Sequence, residues 1–81
     1  MGVLIYHVHA DWDPEADVWV ATSDDVPGLA TEAHTIESLT EKLRDLIPEL
    51  LEANRMLPGE PAGAISFELT SHRSEKVLLA S

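Results

Sequence analysis

Cysteine is absent from the 81 residues, so neither a disulfide nor a thiolate metal site can stabilise the fold. A chain this short buries only about 60–65% of the surface that its unfolded form exposes. Its margin of stability is therefore thin, and we expect help from self-association, with a dimer favoured, or from a partner surface. The lack of cysteine also fits a reducing compartment.

Long apolar runs and basic leader segments are also missing. No stretch approaches the roughly 18 apolar residues of a membrane span. The first residues, MGVLIYHVHADWD, have no basic region and turn polar too early for a secretory signal. We therefore expect a cytoplasmic protein that does not bind membranes.

Basic residues are also scarce. Fifteen acidic residues outnumber five basic ones, which gives a formal net charge of −10. The first cation is Lys42, and nine carboxylates precede it. Direct binding to nucleic acid requires Lys and Arg to neutralise phosphates, so this chain is a poor candidate for it. A basic protein partner fits the charge better, although an acidic surface can also serve solubility alone.

Hydrophobic alternation predicts four strands. Residues 3–10 and 18–23 are rich in β-branched and aromatic residues, and the polar connection 11–17 makes them a hairpin. Val26-Pro27-Gly28-Leu29 has the pattern of a type II turn. Residues 29–34 alternate as a short third strand, and residues 64–70 alternate as a half-buried fourth, with Ile65, Phe67 and Leu69 inward.

One amphipathic helix is predicted after Thr35, a good N-cap residue that Glu37 follows in the first turn. Its apolar residues recur at helical spacing: Ile36, Leu39, Leu43, Leu46, Ile47, Leu50 and Leu51. Pro48 conflicts with a regular helix, so we expect a kink or a restart there before the helix ends near Asn54. Residues 56–63 are predicted to form a linker.

The order β-β-β-α-β predicts an α+β domain over 1–81, with antiparallel hairpins and one helix on one sheet face. The segment 71–81 can extend the last strand, form an edge strand or fray. Because one helix cannot cover both faces of a four-stranded sheet, the second face meets water or another chain. Val3, Ile5 and Trp19 are candidates for that face.

Histidines offer a weak metal-site alternative. His7 and His9 project from the same side of a strand, and His34 or a carboxylate could complete a site. Histidines near an exposed sheet face explain the same pattern without a ligand. We expect no cofactor, and keep a metal- or small-ligand-binding module as the alternative function.

Enzymatic motifs are not evident. Asp24-Asp25, or Asp11 with Asp13, could pair as acid and base or bind Mg²⁺, but adjacent acids are common in turns. No Walker, GxGxxG or GxSxG motif occurs. We therefore expect no enzyme. Trp12 and Trp19 are either core residues or interface anchors, the core being favoured in so small a domain.

Residues 12–52, WDPEADVWVATSDDVPGLATEAHTIESLTEKLRDLIPELLE, resemble the HicB-like antitoxin superfamily. The marks are the hairpin, the acidic turn Asp25-Val26-Pro27-Gly28, the short strand ending before Thr35, and the Leu/Glu-rich helix. The Trp12-Asp13, 18–25 and 47–51 segments are more specifically similar to a small bacterial family of unknown function within that superfamily. His34 departs from the pattern, because the superfamily often has Asp there.

The resemblance implies a partial RNase H-like fold, in which three antiparallel strands and a helix are followed by a strand that returns beside the first. It also implies that catalytic carboxylates are lacking. In the antitoxins this domain masks HicA, a small basic toxin that cleaves mRNA. Antitoxins often append a DNA-binding module, for which residues 1–81 leave no room. We therefore expect a non-enzymatic acidic domain that binds a basic, HicA-like partner. The residues expected to contact that partner are Asp11, Asp13, Glu15, Trp19, Asp24 and Asp25.

Overall fold

The computed structural model of the protein describes residues 5–56 and 64–80. Four strands and one helix follow one another as β1 (Ile5–Asp13), β2 (Val18–Thr22), β3 (Ala30–Ala33), α1 (Ile36–Ala53) and β4 (Ser66–His72). The predicted α+β class and the order β-β-β-α-β are confirmed. Val3 and most of the expected linker lie outside the described residues.

The four strands form one mixed sheet in the order β3-β2-β1-β4. β1 and β2 are antiparallel, as are β2 and β3, which confirms the predicted hairpins. β4 pairs with β1 in parallel, with Ile5 opposite Ser66 and Asp11 opposite His72. Parallel pairing requires a long crossover, and the segment that contains α1 supplies it.

The first hairpin is longer than predicted, because β1 continues to Asp13 instead of ending at Ala10. Trp12 lies opposite Trp19 across the pair, with ring centroids 5.3 Å apart in an edge-to-face arrangement. Such cross-strand aromatic pairs stabilise a ladder, which explains the extra residues. The turn is reduced to residues 14–17, where Asp17 adopts a φ of 61°.

The second connection is the predicted turn. The amide of Leu29 donates to the carbonyl of Val26 at 3.2 Å, and Gly28 has a φ of 82°. This hydrogen bond and this dihedral define a type II turn with glycine in its left-handed position. The turn reverses the chain between β2 and β3.

Helix α1 begins as predicted, since the Thr35 hydroxyl accepts a hydrogen bond from the Ser38 amide at 3.0 Å. The helix runs without interruption through Pro48, so the expected restart does not occur. It ends at Ala53, and the C-cap residue Asn54 donates its amide to the Leu50 carbonyl. Burial of its apolar side outweighs the one hydrogen bond that proline removes.

The core lies between α1 and one face of the sheet. Four helix residues one turn apart, Leu39, Leu43, Ile47 and Leu51, are completely buried. They pack with alternate residues of the strands and with two residues of the type II turn segment: Tyr6, Val8, Ala10, Ala21, Ala33, Val26 and Leu29. This sheet face is called the helix face below.

The C-terminal arm, residues 73–80, has no regular secondary structure, although residues 71 and 72 extend β4 beyond the predicted end. Its apolar residues Val77, Leu78 and Leu79 are 77%, 87% and 89% exposed. The molecule has a radius of gyration of 15.6 Å and is 62 Å long. A compact domain of this length has a radius of gyration of about 12 Å. The arm therefore projects from the body.

Candidate functional site: the open sheet face

The sheet face opposite α1 is exposed along most of its length. Among residues 5–56 and 64–80, no helix or strand packs against it. Strand register places the following residues on this open face: Ile5, His7, His9, Asp11 and Asp13 of β1, Val18, Val20 and Thr22 of β2, Ala30 and Glu32 of β3, and Ser66, Glu68, Thr70 and His72 of β4. Val18, next to the hairpin turn, is the buried member of this set. The ionisable groups in this set are carboxylates and histidines, and none is a lysine or an arginine.

One row of the open face crosses all four strands. It reads Glu32, Val20, Asp11 and His72, with each residue opposite the next in the register. Strands lie about 4.8 Å apart, so the Cα atoms of Glu32 and Asp11 are separated by roughly 10 Å. Val20 is the half-buried apolar residue between them. The row combines an apolar centre with separated carboxylates.

His7 is held at the edge of this face by the segment after β2. The Asp25 carboxylate oxygen Oδ2 accepts from the His7 amide at 2.7 Å and lies 3.0 Å from His7 Nδ1. The Ser23 hydroxyl donates to the His7 carbonyl at 2.5 Å and accepts from the amides of Asp25 and Val26. The side chains of Ser23 and Asp25 thus hydrogen-bond to the main chain of β1 at His7, beyond the last residue of β1 that pairs with β2.

The pKa of Asp25 is lowered from its ordinary value. The first cause is the hydrogen bond from the His7 amide, followed by the bond from the His7 side chain. Both favour the ionised carboxylate. Asp25 is therefore ionised at neutral pH, and its carboxylate is bonded to His7 of the same chain. His7 Nε2 also lies 3.9 Å from Glu68 Oε1, so His7 stands between two carboxylates.

Of the other predicted acids, Asp11 lies within β1, Asp13 ends that strand, and Glu15 and Asp24 lie in the two connections. Asp13 Oδ1 accepts from the amides of Glu15 and Ala16, which is an Asx turn that shapes the hairpin. Glu15 and Asp24 are exposed. Of the acids predicted to meet a partner, Asp11 alone belongs to the row at the centre of the open face.

Trp19 lies on the other side of the sheet from the expected one. It packs against the core on the helix face, paired with Trp12, while Ile5 is on the open face as predicted and 41% exposed. The Arg73 guanidinium lies 4.0 Å from the Trp12 ring centroid and 5.9 Å from that of Trp19. The register with Ala33 of β3 fixes this orientation.

The three histidines considered for a metal do not converge. His7 and His9 are on the open face, whereas His34 Nδ1 lies 3.0 Å from the carbonyl of Asp17 near the hairpin turn. Within the described parts of the chain, no three His, Asp or Glu side chains are placed to hold a metal ion. The geometry gives no support to a site built from these histidines.

A shallow pocket of 630 Å³ lies beside the first residues of β1, lined by Ile5, Tyr6, His7, Asp24, Asp25 and Met56. Two of its polar side chains, His7 and Asp25, already bond each other. Ligand pockets usually present several convergent polar groups from a mostly enclosed cavity. This pocket extends the acidic open face and does not resemble an enclosed ligand cavity.

Three ionisable residues of the open face were not among the predicted site residues: Glu32, Glu68 and His72. Alternation in the fourth strand already places Glu68 and Thr70 outward. What was missing is the register of β4 against β1, which sets Glu68 beside His7 and His72 beside Asp11. The alternation within one strand does not show which residues of another strand lie beside it.

Residues 5–81 match the family described as "Domain of unknown function (DUF1902)". The chain belongs to the DUF1902 family. Among solved structures, this DUF1902 domain is similar to the hypothetical protein TTHA1013 from the extremely thermophilic bacterium Thermus thermophilus. The two are 46% identical with a TM-score of 0.69, and the match covers 94% of this chain and 100% of that chain. No curated protein matched the sequence. No helix in the described part of this DUF1902 domain is long and apolar enough to cross a membrane.

Proposed function

We propose that this DUF1902 domain is a non-enzymatic protein-binding module that receives a small basic partner on its open sheet face. The observation that carries the proposal is the open face itself. It is a broad, exposed surface on which carboxylates and histidines, without lysine or arginine, surround the apolar residues Ile5 and Val20. A basic protein complements such a surface, and its field would speed the encounter.

The HicB-like resemblance makes the proposal more specific. Under this hypothesis the fold is a partial RNase H-like domain that acts in the cytoplasm as an antitoxin. It would mask a HicA-like toxin that cleaves mRNA. Two features support this: the order β-β-β-α-β and an excess of ten negative charges. The alternative, a metal- or ligand-binding module, lacks a comparable geometric basis.

The experiment compares two charge-matched triple variants as bait. Asp11→Asn/Glu32→Gln/Glu68→Gln removes three charges from the open face. Glu41→Gln/Asp45→Asn/Glu49→Gln removes three from the exposed side of α1. Both carry the same net charge, so any difference between them reports position and not total charge. The first partner to test is the product of the neighbouring reading frame, followed by basic proteins retained from the native cell.

We expect the open-face variant to bind the identified partner at least about tenfold more weakly, because three partly shielded charges each contribute about 0.5 kcal/mol. The helix variant should bind like the wild type. Binding should weaken as salt rises from roughly 0.01 to 0.15 M, where the Debye length falls from about 30 to about 8 Å. Equal losses in both variants, or salt-independent binding, would contradict the proposal.

The antitoxin hypothesis has its own test. The purified partner should cleave RNA, and an equimolar amount of the DUF1902 domain should stop the cleavage. The open-face variant should need an excess to do the same. If the partner binds but does not cleave RNA, the binding function stands and the role as an antitoxin of a HicA-like toxin is excluded.

A further inference from the structure

The edge strand β4 and the residue before it form an apolar strip, called the β4 strip, over which helix α1 does not lie. Ile65, Phe67 and Leu69 point to the helix face but remain half-buried. Helix α1 lies mainly over β2 and β3, at the other side of the sheet. The strip therefore lies at the margin of the core, to one side of the completely buried residues of α1.

The two edges of the sheet differ. β3 is four residues long, and the Lys42 ammonium donates to the Glu32 carbonyl at 2.6 Å, which occupies a main-chain acceptor of that strand. Short strands and lysines are common means of blocking an edge. β4 is seven residues long, and its described contacts to another strand are all with β1. The sheet is thus best suited to accept another strand at β4.

The C-terminal arm begins at the end of that same strand. Arg73 lies over the Trp12 ring and also pairs with Glu75, at 2.5 Å between Nε and Oε2. These contacts fix the place where the arm leaves the body. Beyond them, the three consecutive apolar residues Val77, Leu78 and Leu79 have almost no contact with their own chain. Three adjacent exposed aliphatic side chains form an apolar patch, and such patches mark sites of interaction with another surface.

We propose that two copies of this chain exchange their C-terminal arms, so that Val77, Leu78 and Leu79 of each copy pack on the β4 strip of the other. A two-fold axis beside β4 sets the two β4 strands antiparallel. In that arrangement the end of one β4 lies near the start of the other. The arm of one copy is then directed toward Ile65 and Phe67 of its partner copy.

Area favours a second copy as the occupant, and the arm is the one part whose charge suits an acidic body. Two arms of three aliphatic residues, with the surfaces they cover, remove on the order of 1,000 Å² from water, the size of a small specific interface. The bodies repel each other, since each chain carries a net charge of −10. The arm has two cations, Arg73 and Lys76, against one acid, Glu75, so it is the segment best able to approach an acidic body.

Sedimentation and light scattering of the purified chain test the proposal first. Each chain has a mass of 8.9 kDa, and we expect a dimer of twice that mass. Val77→Ser/Leu78→Ser/Leu79→Ser should shift the dissociation constant upward by about 100-fold or more while leaving the circular dichroism unchanged, because these residues lie outside the core. The control Leu46→Ser alters one half-buried helix residue away from β4 and should stay dimeric. A monomeric wild type, or a dimer that survives the arm variant, overturns the proposal.

Disulfide trapping tests the exchange directly, since the chain has no cysteine of its own. Leu78→Cys and Ile65→Cys are made as separate, differently tagged chains and then mixed and oxidised. A disulfide between the two tags supports exchange, because each chain has a single thiol. Leu78→Cys mixed with Glu41→Cys, on the exposed side of α1, is the control and should not cross-link. Failure of the first pair to exceed the control overturns the arm-to-strip contact.

Salt separates this inference from the proposed binding function. Salt screens the repulsion between two acidic bodies, so the dimer should be as stable or more stable at high ionic strength. Binding of a basic partner should weaken under the same conditions. The test uses this chain alone, so its result does not depend on whether a basic partner exists.

Discussion

Asp25 bonds both the main chain and the ring of His7, 18 residues earlier in the sequence. The carboxylate replaces the strand partner that β1 lacks beyond the end of β2. Its neighbour Ser23 bonds the carbonyl of the same histidine. An acidic pair that is suggestive of catalysis in the sequence thus divides its roles. Asp25 secures the turn to the sheet, while Asp24 is exposed at the pocket rim.

The bond between Asp25 and His7 predicts a dependence of stability on pH. A carboxylate whose pKa is lowered by folding stabilises the native state above its unfolded pKa, near 3.8, and this stabilisation is lost as pH falls through the folded value. We expect the wild type to lose stability below about pH 4 more steeply than Asp25→Asn. Urea unfolding between pH 2.5 and 7 measures this. Asp24→Asn is the matched control and should follow the wild type; identical slopes for all three would contradict the assignment.

Gly28→Ala should destabilise the domain by about 1–2 kcal/mol, the cost of a left-handed conformation for a residue with a Cβ. The φ of Gly28 is 82°, and an added Cβ would lie 3.7 Å from Leu50 Cδ2, an ordinary contact. The penalty therefore comes from the backbone and not from a clash. Gly28→Asn should cost less, because asparagine tolerates this region. Chemical denaturation ranks the three proteins, and an alanine variant as stable as wild type would refute the turn geometry.

Pro48→Ala should stabilise the domain by about 1–3 kcal/mol. Helix α1 continues through Pro48, which cannot donate to the carbonyl of Arg44, and interior proline costs up to about 3 kcal/mol relative to alanine. The gain is reduced by the packing that half-buried Pro48 provides. Thermal and urea unfolding give the difference. Glu49→Ala, at the exposed position beside it, should change little, and a less stable Pro48→Ala would show that the proline ring is needed for packing.

Leu43→Ala should cost about 2–5 kcal/mol, since Leu43 is completely buried at the centre of the helix stripe. This is a large part of the roughly 5–15 kcal/mol by which small domains are stable. The neighbouring exposed Arg44→Ala should remain within about 0.5 kcal/mol of wild type. Equilibrium denaturation with both variants tests the orientation of α1. Similar losses at the two positions would mean that the helix stripe is wrongly placed.

Features that depend on residues close in sequence were predictable. The Thr35 cap needs only the Ser38 amide three residues later, and the type II turn needs only the four residues around Pro27 and Gly28. The helix stripe follows from a 3.6-residue period. Pro48 was the exception: the local rule predicted a kink or a restart, and the restart does not occur, because residues buried on both sides of the proline hold the helix in place.

Features that depend on strand pairing were less accessible. Trp19 could not be assigned a face from β2 alone, because Val18, Trp19, Val20 and Ala21 form an apolar run without clear alternation. Pairing with Trp12 and Ala33 settled its orientation. The bond from Asp25 to His7 likewise joins residues whose proximity no local pattern reports.

By itself, the sequence determined the class, the order of elements, the capped helix and the acidic excess, because these depend on composition and on contacts between near neighbours. Tertiary structure alone decided the register of β4 against β1, the placement of Glu32, Asp11 and His72 in one row, and the projection of the arm. Each of these depends on which distant strand lies alongside, and strand register is set by the burial of one whole sheet face against α1.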